Sequence, residues 1–265
     1  DKLRHSATSS LFERRDVSVR DGRAAVQDAG SQLVALALAA VPLEGRAAQA
    51  AATAAGPAQR WLDLCAGPGG KAGLLAAVAL ERSADLVANE VSAHRVELVR
   101  STLAAVGARA AQLGRSVEVR VGDGREVGEN EPGAYSRVLV DAPCTGLGAL
   151  RRRPEARWRR QQSDLAALGP LQRSLLHSAV DATMSGGVVA YATCSPHLAE
   201  TTFVVSDVLK RRSDVELIDA RDFVRDAAGA PVQSLGEGPA AQLWPHVHGT
   251  DGMFLTLMRR VGDVP

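Results

Sequence analysis

The chain has 265 residues, 46% of them hydrophobic and 23% charged, with a net charge of +1. This composition fits one large globular domain, or one domain with a small addition, and any nucleic-acid-binding surface must be local because the overall charge is close to zero. The longest apolar run, at 33–43, is about half of the ~20 residues that a membrane-spanning helix needs, so we expect no membrane association.

The cysteines and histidines give no metal-binding pattern. The three cysteines form neither a disulfide framework nor a CxxC or Cys/His motif, so we predict a cytoplasmic monomer that binds no metal. His246 and His248 have a spacing that metal ligands can have, but no third ligand is evident. His94, His177 and His197 are scattered, and we interpret them as surface or structural residues.

The first part of the chain is predicted to contain a hairpin, a helix and a loop. Residues 16–29 alternate around an Asp-Gly pair, as in a small hairpin, and a helix is predicted over 31–41. The stretch 46–59 is low in complexity, and its Gly-Pro pair indicates a loop before the next strand.

From residue 60 onward, strands alternate with helices. The apolar runs are short and bounded by glycines, as is typical of buried parallel strands, and Ser92 is placed to cap a helix. The alternation predicts an α/β fold with a doubly wound, mostly parallel sheet and an antiparallel C-terminal strand. The predicted strands cover 60–66, 84–91, 116–123, 136–143, 186–194 and 251–260, and the predicted helices cover 71–82, 92–107, 161–185 and 198–212.

A glycine-rich turn, LDLCAGPGGK at 62–71, joins the first strand of this series to its helix. The glycines let the backbone approach a ligand, and the helix start offers free N–H groups. A phosphate-binding P-loop is excluded, because Cys65 and Ala72 replace its first glycine and its Ser or Thr. A dinucleotide, S-adenosylmethionine and a purely structural turn remain open, and Cys65 itself is interpreted as a small core residue.

Carboxylates follow the next three strands: Glu90 ends the second, Asp123 follows the third and Asp141 follows the fourth. Glu90 is placed where a carboxylate binds ribose hydroxyls, and the carboxyl ends of parallel strands converge at one edge of a sheet. Cys144 and Cys194 also follow strands. One such cysteine alone would be interpreted as a packed thiol, but two of them, one beside an Asp, favour shared chemistry.

The segment RRRPEARWRR (151–160) holds six arginines and a tryptophan. Guanidinium groups suit phosphates, and a tryptophan can stack on a base. The alternative is a solvated arginine-rich helix. The position of the segment just after Asp141 and Cys144 favours RNA. The predicted RNA-binding residues are Arg151, Arg152, Arg153 and Trp158.

Six motifs form a set that runs in order over nearly the whole chain: VQDAGSQ (26–32), LDLCAGPGGK (62–71), GDGR (122–125), VLVDAPCTGLGALRRRP (138–154), GGVVAYATCS (186–195) and DGMF (251–254). This set resembles the Sun/Fmu-type RNA (cytosine-5) methyltransferases, bacterial methylases of small-subunit ribosomal RNA. The pairing of DAPC with ATCS is its most specific part. The resemblance implies a Rossmann-like class I methyltransferase fold, S-adenosylmethionine as cofactor and RNA, above all ribosomal RNA, as partner.

The resemblance also assigns domains and site residues. Residues 1–30 are expected to be the remnant of an RNA-binding region, and 31–265 the catalytic domain. The family's usual Ala, Ser and Asn are replaced by Gly67, Thr145 and Thr201, and none of these changes removes a reacting group. The cofactor site implied by the family consists of Cys65, Ala66, Gly67, Pro68, Gly69, Gly70, Lys71, Glu90, Asp123 and Asp141.

The implied reaction gives both cysteines a purpose. A thiolate that adds to carbon 6 of cytosine makes carbon 5 nucleophilic, and after methyl transfer the intermediate must lose its carbon 5 proton and expel the thiol. Asp141 is placed to hydrogen-bond the N3 edge of the base as sulfur adds. By chemistry alone either cysteine can attack. The resemblance assigns the attack to Cys194 and assistance in product release to Cys144.

Three rival functions remain open at this point. A transfer-RNA methylase would use the same catalytic domain. A nicotinamide-dependent oxidoreductase would use the same crevice, but it has no use for paired cysteines. An inactive RNA-binding scaffold would keep the arginines and need neither cysteine.

Overall fold

The computed structural model describes residues 25–52 and 59–262. The hairpin predicted around Asp21 and the Gly-Pro loop predicted at 56–57 lie outside these residues. Within them, the boundary at residue 30 between an RNA-binding remnant and a catalytic domain stays a prediction.

The described residues form eight strands: β1 (Arg60–Asp63), β2 (Asp85–Glu90), β3 (Val117–Val121), β4 (Tyr135–Asp141), β5 (Thr183–Thr193), β6 (Val215–Ile218), β7 (Ala241–Gln242) and β8 (Phe254–Arg260). They make one mixed sheet in the order β3-β2-β1-β4-β5-β8-β6, with β7 paired to β8. Strands β1 to β5 are parallel, and β8 runs antiparallel to β5, which confirms the predicted architecture. The antiparallel strands β6 and β7, which complete that edge, were not predicted.

The helices cover both faces of the sheet, and several differ from the predicted ones. The helix predicted over 92–107 extends to Gln112, and the short helices Val127–Asn130, Ala156–Arg159 and Pro245–His248 were not predicted. The helix predicted to reach 185 ends earlier because β5 begins at Thr183, and the one predicted over 198–212 is interrupted by a 3₁₀ turn. A helix also occupies much of the stretch interpreted as low in complexity. The α-helices are α1 (Ala29–Ala40), α2 (Gly45–Ala52), α3 (Gly70–Glu81), α4 (Ala93–Gln112), α5 (Val127–Asn130), α6 (Ala156–Arg159), α7 (Gln162–Ala182), α8 (Thr202–Leu209) and α9 (Pro245–His248).

The strand order places a crevice in the middle of the sheet. From β1 the chain first builds outward through β2 and β3, and then crosses to the other side of β1 to form β4. The loops that leave the carboxyl ends of β1 and β4 therefore diverge, and in open α/β sheets ligands bind at such a switch point. Helices α1 and α3 pack on one face and α7 and α8 on the other, which holds both loops on buried strands.

Among the described helices, none alone is both long and apolar enough to cross a membrane. The pair α1 and α2, which is bent by 89°, meets the criteria of length and composition only when its two helices are taken together.

A buried arginine on β4 ties α1 to the sheet. The guanidinium of Arg137 donates hydrogen bonds of 2.7 Å to the carbonyl oxygens of Leu38 and Val41, at the C-terminal end of α1. It lies over the ring of Trp61, 5.2 Å from the centroid. Burial lowers the pKa of Arg137 to about 9. Arg137 thus satisfies carbonyls that the end of a helix leaves without a backbone partner.

We expect Arg137→Met to lower the free energy of unfolding by about 2–4 kcal/mol, because it leaves two helix-end carbonyls without donors in the interior. Denaturant unfolding measures the change. Arg100→Met is the matched control, since Arg100 is exposed and pairs with Glu97 on the surface of α4, where such a pair contributes under about 1 kcal/mol. Equal effects of the two substitutions would contradict the structural role of Arg137.

Candidate active site

The glycine-rich turn after β1 packs directly against the carboxylate that ends β2. The backbone N–H of Gly67 donates to Glu90 Oε2 over 3.1 Å, and a Cβ at residue 67 would lie 2.5 Å from that oxygen. Glycine is therefore needed at this departure from the family pattern as long as Glu90 keeps its position. The first N–H groups of α3 lie at the end of the same turn. No side chain caps them, because the N-cap residue is Gly69.

Glu90 is buried and accepts hydrogen bonds through both oxygens. Oε1 accepts from the backbone N–H of Ser92, and Arg95 forms an ion pair with Oε2 at 3.5 Å. The predicted N-cap is thus correct in position but not in mechanism: Ser92 precedes α4, while its side chain makes no capping hydrogen bond. The contacts hold Glu90 in one orientation at the edge of the crevice.

Asp123, like Asp141, is only partly buried, whereas Glu90 is buried. Asp123 follows β3, and Arg125 binds it with its backbone N–H and its guanidinium. These hydrogen bonds lower the pKa of Asp123. The turn is rich in glycine, so its backbone is accessible, and the start of α3 is uncapped. Each carboxylate has about four lone-pair sites, so the fixed carboxylates can accept hydrogen bonds from a ligand with ribose hydroxyls and an amino group.

Asp141 pairs with the lysine of the glycine-rich turn. Lys71 Nζ lies 2.7 Å from Asp141 Oδ2 and 3.2 Å from Ser31 Oγ, so the ion pair spans β4 and α3 and is tied to α1. Asp63, at the end of β1, is buried beside them, and its Oδ2 has no hydrogen-bond partner. Burial, with a further contribution from Asp141, raises the pKa of Asp63 to about 7. The sequence reasoning did not single out Ser31 or Asp63, although both lie in motifs that it quoted.

The structure brings the two strand-end cysteines into contact. Strands β4 and β5 are adjacent, with Asp141 opposite Ala192, so the turns that follow them meet. The Sγ atoms of Cys144 and Cys194 are 3.4 Å apart, within hydrogen-bonding distance for sulfur. The third cysteine, Cys65, is also free and partly packs in the core, where burial and then Asp63 raise its pKa.

The two thiols differ in their electrostatic surroundings. The hydrogen bond from Cys144 lowers the pKa of Cys194, and the nearby Lys71 adds to that effect. The same hydrogen bond, together with burial and the charges of Glu200 and Asp141, raises the pKa of Cys144 well above its usual value. The distance allows either sulfur to donate, and the opposite directions of the two pKa shifts favour a thiolate on Cys194 that accepts a hydrogen bond from the thiol of Cys144.

Two of the arginines predicted to bind RNA form ion pairs inside the protein. Arg151 Nη2 lies 2.9 Å from Asp28 Oδ2, and Arg152 binds both oxygens of Asp251. The carboxylate side chains are only 3% and 2% exposed. Because a buried carboxylate needs its partner, these two arginines have a structural role, and their contact with RNA stays a prediction.

These ion pairs join three of the motifs. Asp28 accepts a hydrogen bond from Gly30 N at the start of α1 and another from the backbone N–H of Asp251. Gly148 N donates to the carbonyl oxygen of Cys194 over 2.8 Å, and a Cβ at residue 148 would lie 2.0 Å from Gly252 O. The strand end that carries Cys194 is thus held by the segments of VQDA, GALRRR and DGMF together.

The other predicted RNA-binding residues are open to solvent. Trp158 is 82% exposed, Arg157 lies over its ring at 5.4 Å, and Arg153 is exposed as well. The short helix α6 carries Trp158, with Arg159 beside it. This exposed part of the arginine-rich segment, and not its first two residues, offers free guanidinium groups.

One histidine of the pair in WPHVHGT, His248, has a structural role. His248 Nδ1 accepts from the backbone N–H of Trp244, and Nε2 lies 3.0 Å from Gln233 O. His197 likewise caps a turn, through a hydrogen bond from Ala199 N. Within residues 25–52 and 59–262, no group of three or more His, Cys, Asp or Glu side chains is arranged to hold a metal ion.

Comparison with known proteins decides the family. Residues 50–259 match the family described as 16S rRNA methyltransferase RsmB/F. The chain belongs to this family. Its members are S-adenosylmethionine-dependent methyltransferases, as the resemblance predicted.

Relatives with curated names agree with this RsmB/F membership. The protein Rv1407 of Mycobacterium tuberculosis, which is named a methyltransferase without a stated substrate, is 52% identical over 92% of this chain and 47% of its own length. The ribosomal RNA small subunit methyltransferase F of Serratia proteamaculans is 29% identical over 96% of this chain and 50% of its own. The chain thus spans about half the length of these relatives.

Solved structures share the fold. PH0851 has a TM-score of 0.74 and 26% identity, over 92% of this chain and 48% of its own. A methyltransferase homologue from Pyrococcus horikoshii has a TM-score of 0.66 and 26% identity, over 92% of this chain and 70% of its own. NSun6 from Pyrococcus horikoshii, solved with SFG, has a TM-score of 0.70 at 23% identity, over 93% of this chain and 55% of its own, and shows the fold alone.

We expect Lys71→Met to make Cys194 less reactive, because the substitution removes the cation that favours its thiolate and leaves Asp141 unpaired. A rise of one pKa unit would slow alkylation of Cys194 by iodoacetamide at neutral pH about tenfold. Peptide mass mapping measures the rate at each cysteine. Lys210→Met is the matched control, since Lys210 is exposed at the end of α8. An unchanged rate at Cys194 in Lys71→Met would contradict the electrostatic role of the lysine.

Proposed function

We propose that the protein methylates carbon 5 of cytosine in RNA of the small ribosomal subunit, through a covalent bond between Cys194 and the base. The observation that carries this proposal is the contact between Cys194 and Cys144, in which one thiol is electrostatically favoured as a thiolate and the other as a proton donor. Family membership supports RNA as the substrate. A nicotinamide-dependent oxidoreductase or an inactive scaffold would leave this thiol pair without a purpose.

The cofactor residues fit S-adenosylmethionine. The backbone of the turn from Cys65 to Lys71 and the start of α3 would hold its amino acid part, while Glu90 would bind the ribose hydroxyls and Asp123 the adenine side. When bound, S-adenosylmethionine supplies an electrophilic methyl group. All these residues lie at the carboxyl edge of β1, β2 and β3, next to Asp141 and the two thiols.

Cys194 would start the reaction by forming a bond from its sulfur to carbon 6 of the base. Electron density then moves through the ring to carbon 5, and N3 takes up from solvent a proton that replaces the one Cys194 lost on forming its thiolate. Asp141 would hold that N3 edge, since its Oδ1 is not engaged by Lys71, while the ion pair with Lys71 fixes the direction of the carboxylate. The base must first leave its stack, which costs a few kcal/mol and is least costly in loops and single strands.

Cys144 would act after methyl transfer. Once the sulfur of Cys194 is bonded to carbon 6, it no longer carries the negative charge that keeps the hydrogen on Cys144. The thiol of Cys144 then gives up its proton to solvent more easily, and the resulting thiolate would remove the proton from carbon 5. The electron pair left by that proton would form the carbon 5–carbon 6 double bond and expel Cys194 as a thiolate, and N3 would return its proton to solvent.

Substitution of each cysteine separates the two roles. We expect Cys194→Ala to abolish both methylation and covalent capture of RNA, because no sulfur attacks carbon 6. Cys144→Ala should attack and methylate but release product slowly, so that a denaturation-resistant protein–RNA adduct accumulates when S-adenosylmethionine is present. Denaturing gel electrophoresis with labelled RNA measures the adduct. Cys65→Ala controls for the loss of a thiol, because it removes a sulfur outside the pair and keeps the backbone of the turn proposed to bind the cofactor. An adduct with Cys194→Ala but none with Cys144→Ala would reverse the assignment.

The exposed part of the arginine-rich segment is proposed to contact RNA. Replacement of Arg153, Arg157 and Arg159 by Ala should flatten the salt dependence of RNA binding, because each lost phosphate contact removes about one unit of slope. Affinity for S-adenosylmethionine should not change. Filter binding over a range of salt concentrations measures the slope. The control variant replaces three exposed arginines elsewhere on the protein, Arg100, Arg109 and Arg225. An equal loss of slope in the control would show that only the total charge of the protein matters.

A further inference from the structure

A buried carboxylate lies behind the thiol pair. Glu200 is in the 3₁₀ turn Leu198–Glu200, six residues after Cys194, and its side chain is 0% exposed. Oε1 accepts from the backbone N–H of Thr145 at 2.8 Å and from Gln172 Nε2 at 3.3 Å, and Oε2 accepts from Thr145 Oγ1 at 2.5 Å. Among the ion pairs of the described residues, none involves Glu200, so hydrogen bonds alone stabilise its charge.

These hydrogen bonds hold the Cys144 turn against the Cys194 turn. Thr145 directly follows Cys144, and its hydroxyl also lies 3.4 Å from that of Ser195, which directly follows Cys194. Gln172 on α7 donates to Pro143 O as well, on the other side of Cys144. Cys144 is therefore fixed through both of its neighbours, and Glu200 accepts three of the hydrogen bonds that fix it.

The charges around the two sulfurs are unequal. Cys194 interacts with the cations Lys71 and Arg152 as well as with carboxylates, whereas the charged side chains with the main effects on Cys144 are the carboxylates Glu200 and Asp141. In a buried site with low dielectric, an unpaired carboxylate nearby opposes a second negative charge. The titratable groups that face the pair are Lys71, Asp141, Arg152, Tyr191, Glu200 and Asp251.

We propose that Glu200 is a positioning residue that decides which cysteine of the pair is the thiolate: it holds Cys144 opposite Cys194 and keeps the shared hydrogen on Cys144. The consequence for catalysis rests on the proposed function, but the effect on the two thiols does not. A carboxylate that only braced the turn could be replaced by a neutral amide of the same shape. A carboxylate that acts by its charge could not.

Glu200→Gln removes the charge and keeps the shape, so it tests the charge directly. In a Cys194→Ala background, Cys144 is the remaining cysteine of the pair, and its thiolate should form only at high pH. Adding Glu200→Gln should lower the pH at which Cys144 reacts with iodoacetamide, and a fall of one pKa unit would raise its rate at neutral pH about tenfold. Peptide mass mapping reads the rate at Cys144 separately from that at Cys65.

Thr145→Val is the matched control, because it breaks the 2.5 Å hydrogen bond but leaves the charge of Glu200 in place. It should leave Cys144 slow to react. Equal acceleration by Thr145→Val and Glu200→Gln, or none by Glu200→Gln, would overturn the proposal. Circular dichroism tests whether Glu200→Gln folds. If it does not fold, the Cys194→Ala variant decides, and a Cys144 that titrates in it like an ordinary thiol would also overturn the proposal.

The measurement needs neither RNA nor S-adenosylmethionine, so its failure is distinct from a failure of the proposed function. If the unaltered protein transfers no methyl group to RNA but Glu200→Gln still changes the reactivity of Cys144, the proposed reaction is contradicted and the proposal for Glu200 is not. In the otherwise unaltered chain, Glu200→Gln should also shift alkylation from Cys194 toward Cys144, and an unchanged ratio between them would count against the proposal.

Discussion

The hydrogen bond between the thiols of Cys144 and Cys194 is the contact on which the chemistry of this crevice depends. It exists because β4 and β5 are neighbours in register, so that two turns far apart in sequence meet at 3.4 Å. In a symmetric environment such a pair would share its hydrogen equally. Here Lys71 acts on one sulfur and Glu200 on the other, and in the proposed reaction the pair would be a nucleophile beside a proton donor.

Much of the surrounding structure serves to hold that pair. The carbonyl of Cys194 is bound by Gly148, whose segment continues into the arginines that neutralise the buried Asp28 and Asp251. These two carboxylates begin α1 and precede β8, so the turn with Cys194 is connected to both ends of the described chain. Removing one arginine would leave a buried charge unpaired, which typically costs about 3–5 kcal/mol.

The sequence predicted most of what the backbone alone determines. Short apolar runs bounded by glycines indicated parallel strands, and residues that end such strands had to converge, as Glu90, Asp123 and Asp141 do. It did not predict β6 and β7, which are short and half-exposed. The roles of Arg151, Arg152 and Glu200 could not be predicted, because the partners of Arg151 and Glu200 lie 123 and 55 residues away and their contacts depend on tertiary packing.

The proposed reaction is tested most directly by methyl transfer from labelled S-adenosylmethionine to unmodified small-subunit ribosomal RNA, with the modified base mapped by nuclease digestion and mass spectrometry. Label should appear as 5-methylcytosine at a defined position, and substitution of Cys194 should abolish it. Label on a ring nitrogen, on a base other than cytosine, or at an undiminished level without the sulfur of Cys194 would contradict the covalent mechanism on which the division of labour between the two cysteines rests.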